Sequence, residues 1–107
     1  MYSLTTRDRR RGLHLEVDVR GRDVAGRSFS ERTRSRNVSG GGICFESGER
    51  LGIGALLELV IELPPPLRRH FTGRAVYRAR ATVCRVEHFG DGPGYRVGAR
   101  FLGEMEV

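Results

Sequence analysis

An all-β domain, a six-stranded antiparallel barrel, follows from three features of this 107-residue sequence. Apolar and polar residues alternate with a period of two in several separate stretches. Glycine- and proline-rich turns punctuate those stretches at short intervals, and none of them carries the 3.6-residue period of an amphipathic helix. A chain of this length holds one ordinary core, so a single domain is expected over residues 1–107, with an arginine-rich arm over 1–12 and the barrel over 13–103. Hydrophobic residues at 38% and charged residues at 30% supply a packed interior and exclude wholesale disorder.

Taken in order, Leu13, Leu15, Val17 and Val19 alternate with His14, Glu16 and Asp18 and form the first strand, which a turn at Arg20-Gly21-Arg22-Asp23 ends. Residues 28–36 form an extended stretch with Arg32, Arg34 and Arg36 on one face, although the other face is mostly polar. Ile43 to Phe45 reads as a short third strand closed by the turn chemistry of Ser47-Gly48-Glu49. Leu57, Leu59, Ile61 and Leu63 give the clearest alternation, stopped by Pro64-Pro65-Pro66 because proline cannot donate to a ladder. The prolines and the following Leu67-Arg68-Arg69-His70 read as a stiff exposed loop. From residue 71 to 87, Arg74, Arg78 and Arg80 oppose Ala75, Tyr77, Ala79 and Ala81, and a slip near Thr82 marks a bulge or a break. A tight turn at Gly90-Asp91-Gly92-Pro93-Gly94 leads into a closing strand of Tyr95, Val97, Ala99 and Phe101.

All 19 basic residues are arginine, against 13 acidic ones, for a formal charge of +6. Such a surface attracts phosphates, and the planar guanidinium can grip an anion or a guanine edge bidentately. A GC-rich coding bias also replaces lysine by arginine throughout, so position and not abundance carries the argument. Cys44 and Cys84 lie in apolar stretches and read as reduced core residues; without histidines at ligand spacing they make no zinc site. No apolar run is long enough to span a bilayer and no secretion signal opens the chain, which implies a cytoplasmic protein. His14, His70 and His88 are scattered without the cysteine or carboxylate partners that metal or nucleophilic chemistry needs, so no enzyme, no metal and no cofactor are expected.

Two polar clusters stand out. Arg36-Asn37-Val38-Ser39-Gly40-Gly41-Gly42 sets an amide, a hydroxyl and a glycine-permitted turn before the strand at Ile43. It reads either as a recognition loop or as an Asx or Ser turn joining two strands. Upstream, Arg7-Asp8-Arg9-Arg10-Arg11 places two arginines at R-x-x-x-R spacing, able to close over an anion held by that loop; it reads equally as a solvated basic arm.

The pairing of Arg7-x-x-x-Arg11 with Asn37-x-Ser39-x-x-Gly42 resembles the two-part signature of the PilZ domain, a bacterial receptor module for cyclic di-GMP. Gly54, Leu57 and Leu59, and the closing Tyr95-Arg96-Val97-Gly98-Ala99-Arg100-Phe101, extend the likeness over nearly the whole chain. The resemblance implies a PilZ-like barrel in which Arg7 and Arg11 hold phosphate and guanine, Asn37 and Ser39 read a base edge, and Gly42 permits the turn. Counted from Arg10 the apolar alternation has the family's phase and counted from Arg11 it does not, so either the loop absorbs one residue or Arg10 takes the second arginine's role. The function it implies is a receptor that orders its arginine arm on binding cyclic di-GMP and signals to an unknown downstream protein. The alternative is an adaptor of the same fold that binds nucleotide weakly or not at all. A nucleic-acid partner is disfavoured, because the chain is only 7% aromatic and Tyr77, Tyr95 and Phe101 fall on core faces instead of forming a stacking platform.

Overall fold

The computed structural model describes residues 14–71, 73–88 and 92–105. The first strand, β1 (Glu16–Arg22), buries Val17 and Val19 and presents Asp18 and Arg20 outward, with Leu15 buried just ahead of it. Leu13 lies outside the described residues. The strand continues through Gly21 to Arg22, where the sequence reading placed a turn; the reversal falls instead on residues 23–27. There Asp23 Oδ1 accepts the amides of Ala25 and Arg27, each at 2.9 Å, and Gly26 takes φ 81°. An aspartate that organises a turn through its own side chain relocates the reversal to its position. The Arg27 amide is the main reason its carboxyl lies below the usual carboxylate range.

In β2 (Ser28–Val38) the inward residues Glu31, Thr33 and Ser35 are polar, which blurs the alternation in the sequence, yet each is satisfied. Ser47 Oγ and the Gly48 amide each donate to the Glu31 carboxylate at 2.7 Å, and Thr33 Oγ1 donates to the Glu46 carbonyl at 2.7 Å. Ser35 Oγ accepts the Leu15 amide at 2.8 Å. Side-chain hydrogen bonds thus do on this strand what apolar burial does elsewhere.

Next come β3 (Gly42–Ser47) and β4 (Leu56–Glu62), followed by α1 (Pro65–Arg68) and a 3-10 turn (Arg69–Phe71). The stretch expected to be an exposed loop after the prolines is therefore a short helix and a 3-10 turn. Proline suits the first turn of a helix, where its missing N–H is not needed, and Leu67 uses that turn to enter the core at 4% exposure. The last two strands, β5 (Val76–His88) and β6 (Tyr95–Glu104), pair along most of their length. Their register shifts between Arg80 and Ala81 and again between Val83 and Arg85, so the slip near Thr82 is a bulge within one strand.

All strand pairs are antiparallel, and the sheet closes in the order β1-β2-β3-β6-β5-β4. The expected six-stranded barrel is what the chain forms. Val17, Val19, Phe45, Leu57, Leu59, Ile61 and Val97 fill its interior at 1% exposure or less. Tyr77 and Phe101 pack against that core in edge contact, ring centroids 5.7 Å apart, and Tyr95 also packs against it. The cysteines depart from expectation. Cys44 is half-buried and faces outward between inward Ile43 and Phe45, and Cys84 is exposed, extruded as the extra residue of the β5 bulge; both are free thiols. No helix among the described residues is long and apolar enough to cross a membrane.

Candidate functional site

The β2–β3 pairing carries an irregularity at the position of the sequence motif. Ser35 pairs with Phe45 and Val38 with Ile43, all four buried, so two residues of β2, Arg36 and Asn37, stand opposite the single residue Cys44. Such a bulge re-aims side chains, and here it turns both Arg36 and Asn37 to the outer wall. Asn37 lies in register with outward Cys44, while Arg36 Nη1 reaches the Glu46 carboxylate at 2.6 Å.

Beyond Asn37 the chain turns back through residues 39–41. The Ser39 amide donates to the Gly42 carbonyl at 2.9 Å, Ser39 Oγ accepts the Gly41 amide at 3.3 Å, and Gly41 offers its carbonyl to the Phe101 amide at 2.9 Å. The loop is thereby fastened to both β3 and β6. Positive φ does not explain its glycines: among the described residues only Gly26, Gly54 and Gly73 adopt it. Gly42 is glycine for another reason, because a Cβ there would lie 2.5 Å from the Ala99 carbonyl oxygen of β6. The expected role of permitting the turn is corrected to one of close strand approach.

Strand registers extend this outer surface sideways. Cys44 pairs with Gly98 and Gly98 with Arg85; Gly42 pairs with Arg100 and Arg100 with Thr82. A floor of small residues, Gly42, Cys44 and Gly98, runs across two adjacent strands, a strip about 10 Å wide at the usual strand spacing. Asn37 and the 39–41 loop border one side, and Arg85, Arg96 and Arg100 border the other. Arg85 and Arg100 are exposed and make no ion pair with any described residue, so both present an unneutralised guanidinium. A flat strip walled by an amide and several cations suits a planar, anionic ligand.

The arm's arginines, Arg7, Arg10 and Arg11, lie outside the described residues, but the root of the arm is anchored beside the bulge. His14 Nδ1 donates to the Ser35 carbonyl at 3.1 Å, and Leu15 exchanges two bonds with Ser35, one through the buried hydroxyl. Arg11 is four residues from Leu15, a reach of about 13 Å in extended chain. Ser35→Ala leaves the Leu15 amide buried without its acceptor and is expected to cost about 1–3 kcal/mol and to loosen the arm's root. Thermal melting checks the first effect and amide exchange at residues 14–15 the second.

Of the residues named from sequence, the structure brings Asn37, Ser39 and Gly42 together. Arg85, Arg96, Gly98, Arg100 and Cys44 were missed there, although the alternation of Arg96-Gly98-Arg100 against inward Val97 and Ala99 carried a signal. What no local pattern carries is the register that lays those residues beside Asn37. No group of three or more metal-ligating side chains occurs among the described residues.

The PilZ domain matches residues 5–106 of the chain. Among solved structures, the Bacillus subtilis inhibitor of motility, MotI/DgrA, superposes with a TM-score of 0.68 at 20% identity, over 94% of this chain and 48% of that one. MrkH of K. pneumonia in its apo state superposes with a TM-score of 0.54 at 18% identity, over 80% of this chain and 38% of that one. A second MrkH structure gives 0.59 at 18% identity, over 86% and 39%. The chain thus spans about half or less of the length of these proteins, and the likeness is one of fold. No curated protein matches it.

Proposed function

The chain belongs to the PilZ domain family, whose members are cyclic di-GMP-binding modules and not a catalytic class, and on that premise we propose that it is a cytoplasmic receptor for cyclic di-GMP. The ligand lies on the outer wall over Gly42, Cys44 and Gly98. Asn37 and Ser39 meet a guanine edge, Arg7 and whichever of Arg10 and Arg11 reaches the strip close over phosphate and base from the arm, and Arg100 adds charge from β6. The observation that carries this reading is the bulge that turns Asn37 outward onto the small-residue strip beside the anchored root of the arm.

The chemistry is that of anion and purine recognition. Guanine presents adjacent acceptors to an arginine fork, and the two phosphates meet a chain of net charge +6. Binding orders the arm across the strip and so replaces one exposed surface by another, which a downstream protein reads. No bond is made or broken, and no metal or cofactor takes part.

Calorimetric titration of the purified chain with cyclic di-GMP at physiological salt, with GTP and cyclic AMP as controls, tests the proposal. Saturable binding at micromolar or tighter affinity, accompanied by a rise in melting temperature and confined to cyclic di-GMP, is the expected result. Absence of heat and of any thermal shift overturns it and leaves an adaptor that acts through protein contacts alone.

A further inference from the structure

Toward the opposite end of β2 from Asn37, the wall formed with β1 and β4 carries a second feature. Its lining residues include none of Asn37, Gly42, Cys44, Gly98 and Arg100, so the two surfaces share no residue. Between β1 and the start of β4 lies a cleft of about 770 Å³. Half-buried Phe29 and exposed Leu56 supply its apolar lining, and Gly21 packs closely on buried Leu57 at its base, where a Cβ would stand 2.8 Å from Leu57 Cδ2. Leu56 borders it at 63% exposure, and Ile53 at 66% and Val24 at 57% are the other strongly exposed apolar side chains on the adjoining loops, which the Val24 amide joins by donating to the Arg50 carbonyl at 2.9 Å.

The charges around the cleft are arranged differently from those at the other end of the same strands. There Arg32 is surrounded by Glu16, Asp18 and Glu62, and Arg34 pairs with Glu16, so cations and carboxylates cancel. Beside the cleft, Arg20 and Arg80 flank Glu58 in one cross-strand row, and neither arginine makes an ion pair with any described residue. Arg22, also at the rim, donates only to the Gly26 carbonyl of its own turn.

We propose that this cleft is a docking site for an acidic, apolar segment of a partner protein, which seats a large apolar side chain against Phe29 and Leu56 and sets carboxylates against Arg20, Arg22 and Arg80. Charge complementarity selects that occupant. A second copy of the chain would bring like charge against like, which is costly at an interface. A single-stranded nucleic acid would find at the cleft only the part-buried ring of Phe29 to stack on. A flat lipid surface cannot enter a concavity. An apolar anchor in a pocket with a charged rim is the usual anatomy of a compact protein interface. The surface needs no nucleotide for this, so it stands apart from the receptor reading.

Selection from a short random-peptide library displayed on phage, against the immobilised chain without nucleotide, tests the proposal. The expected outcome is enrichment of peptides with a Leu, Ile, Phe or Met flanked by Asp and Glu. Synthesised and measured by fluorescence anisotropy, these should lose on the order of tenfold in affinity to the double variant Arg20→Gln/Arg80→Gln and to Leu56→Asp. All three positions are exposed, so melting temperature and cyclic di-GMP affinity should match the parent chain. Enrichment of nothing, of basic peptides, or of peptides indifferent to these substitutions overturns the proposal. Binding to phosphatidylglycerol vesicles or to a single-stranded oligonucleotide that falls with the same variants, while no peptide is enriched, overturns it equally and reassigns the surface.

Discussion

Asn37→Ala is expected to weaken cyclic di-GMP binding roughly tenfold to a hundredfold while leaving the melting temperature and the β-type circular dichroism unchanged. The amide offers a donor and an acceptor to one base edge, and a pair of hydrogen bonds of this kind contributes about 1–3 kcal/mol to base discrimination. The fold is spared because Asn37 points to the outer wall, in register with Cys44, and no described partner depends on its side chain. Arg11→Ala should act in the same direction, with Arg10→Ala run beside it to decide which arginine reaches the strip. Calorimetry measures the affinity. A loss of β structure in Asn37→Ala, or an affinity equal to that of the parent chain, would refute the separation of site from scaffold.

Gly42→Ala should damage scaffold and site together. Its new methyl would stand 2.5 Å from the Ala99 carbonyl oxygen, which is backbone in a paired strand and cannot rotate away as a side chain can. β3 and β6 must part locally, at a cost of about 3 kcal/mol, the upper end for overpacking. In a domain of this size that lowers the melting temperature by on the order of 10 °C or more. Cyclic di-GMP affinity should fall as well, because the 39–41 loop hangs on the Gly42 and Gly41 carbonyls and would shift with them. Melting and titration of the same variant check both. If stability holds and only binding is lost, the close approach of β3 to β6 is not what requires glycine here.

Each outcome separates a residue acting through its side chain from one acting through its lack of one. Ser35 belongs to neither group. Its hydroxyl is buried in the wall, yet its bond to Leu15 fastens the chain just ahead of β1.

Much of the barrel was legible in the residues themselves. The alternation of Leu57, Leu59 and Ile61, of Val17 and Val19, and of Val97 and Ala99 is a local property: a period of two has one geometric meaning, and a single buried face suffices to express it. The motif residues Asn37, Ser39 and Gly42 were visible for the same reason, as unusual residue types in a short span. The turn after β1 was misplaced because Gly21 looked like punctuation, whereas it marks the close approach of Leu57 from β4. The cysteines were assigned to the core because apolar neighbours suggested it. Strand phase turned Cys44 outward, and the β5 bulge expelled Cys84. The short helix escaped notice because it is too short to show a period, and its buried residue, Leu67, gains meaning only from the core it packs into. From the sequence alone came the class of fold, the strand faces and the motif, since these depend on neighbours along the chain. Tertiary structure alone decided that Asn37 faces outward, that Gly98, Arg85 and Arg100 lie beside it, and that Arg20 and Arg80 flank a cleft near the other end of β2. Cross-strand register joins residues tens of positions apart, and a one-residue bulge reverses every face beyond it.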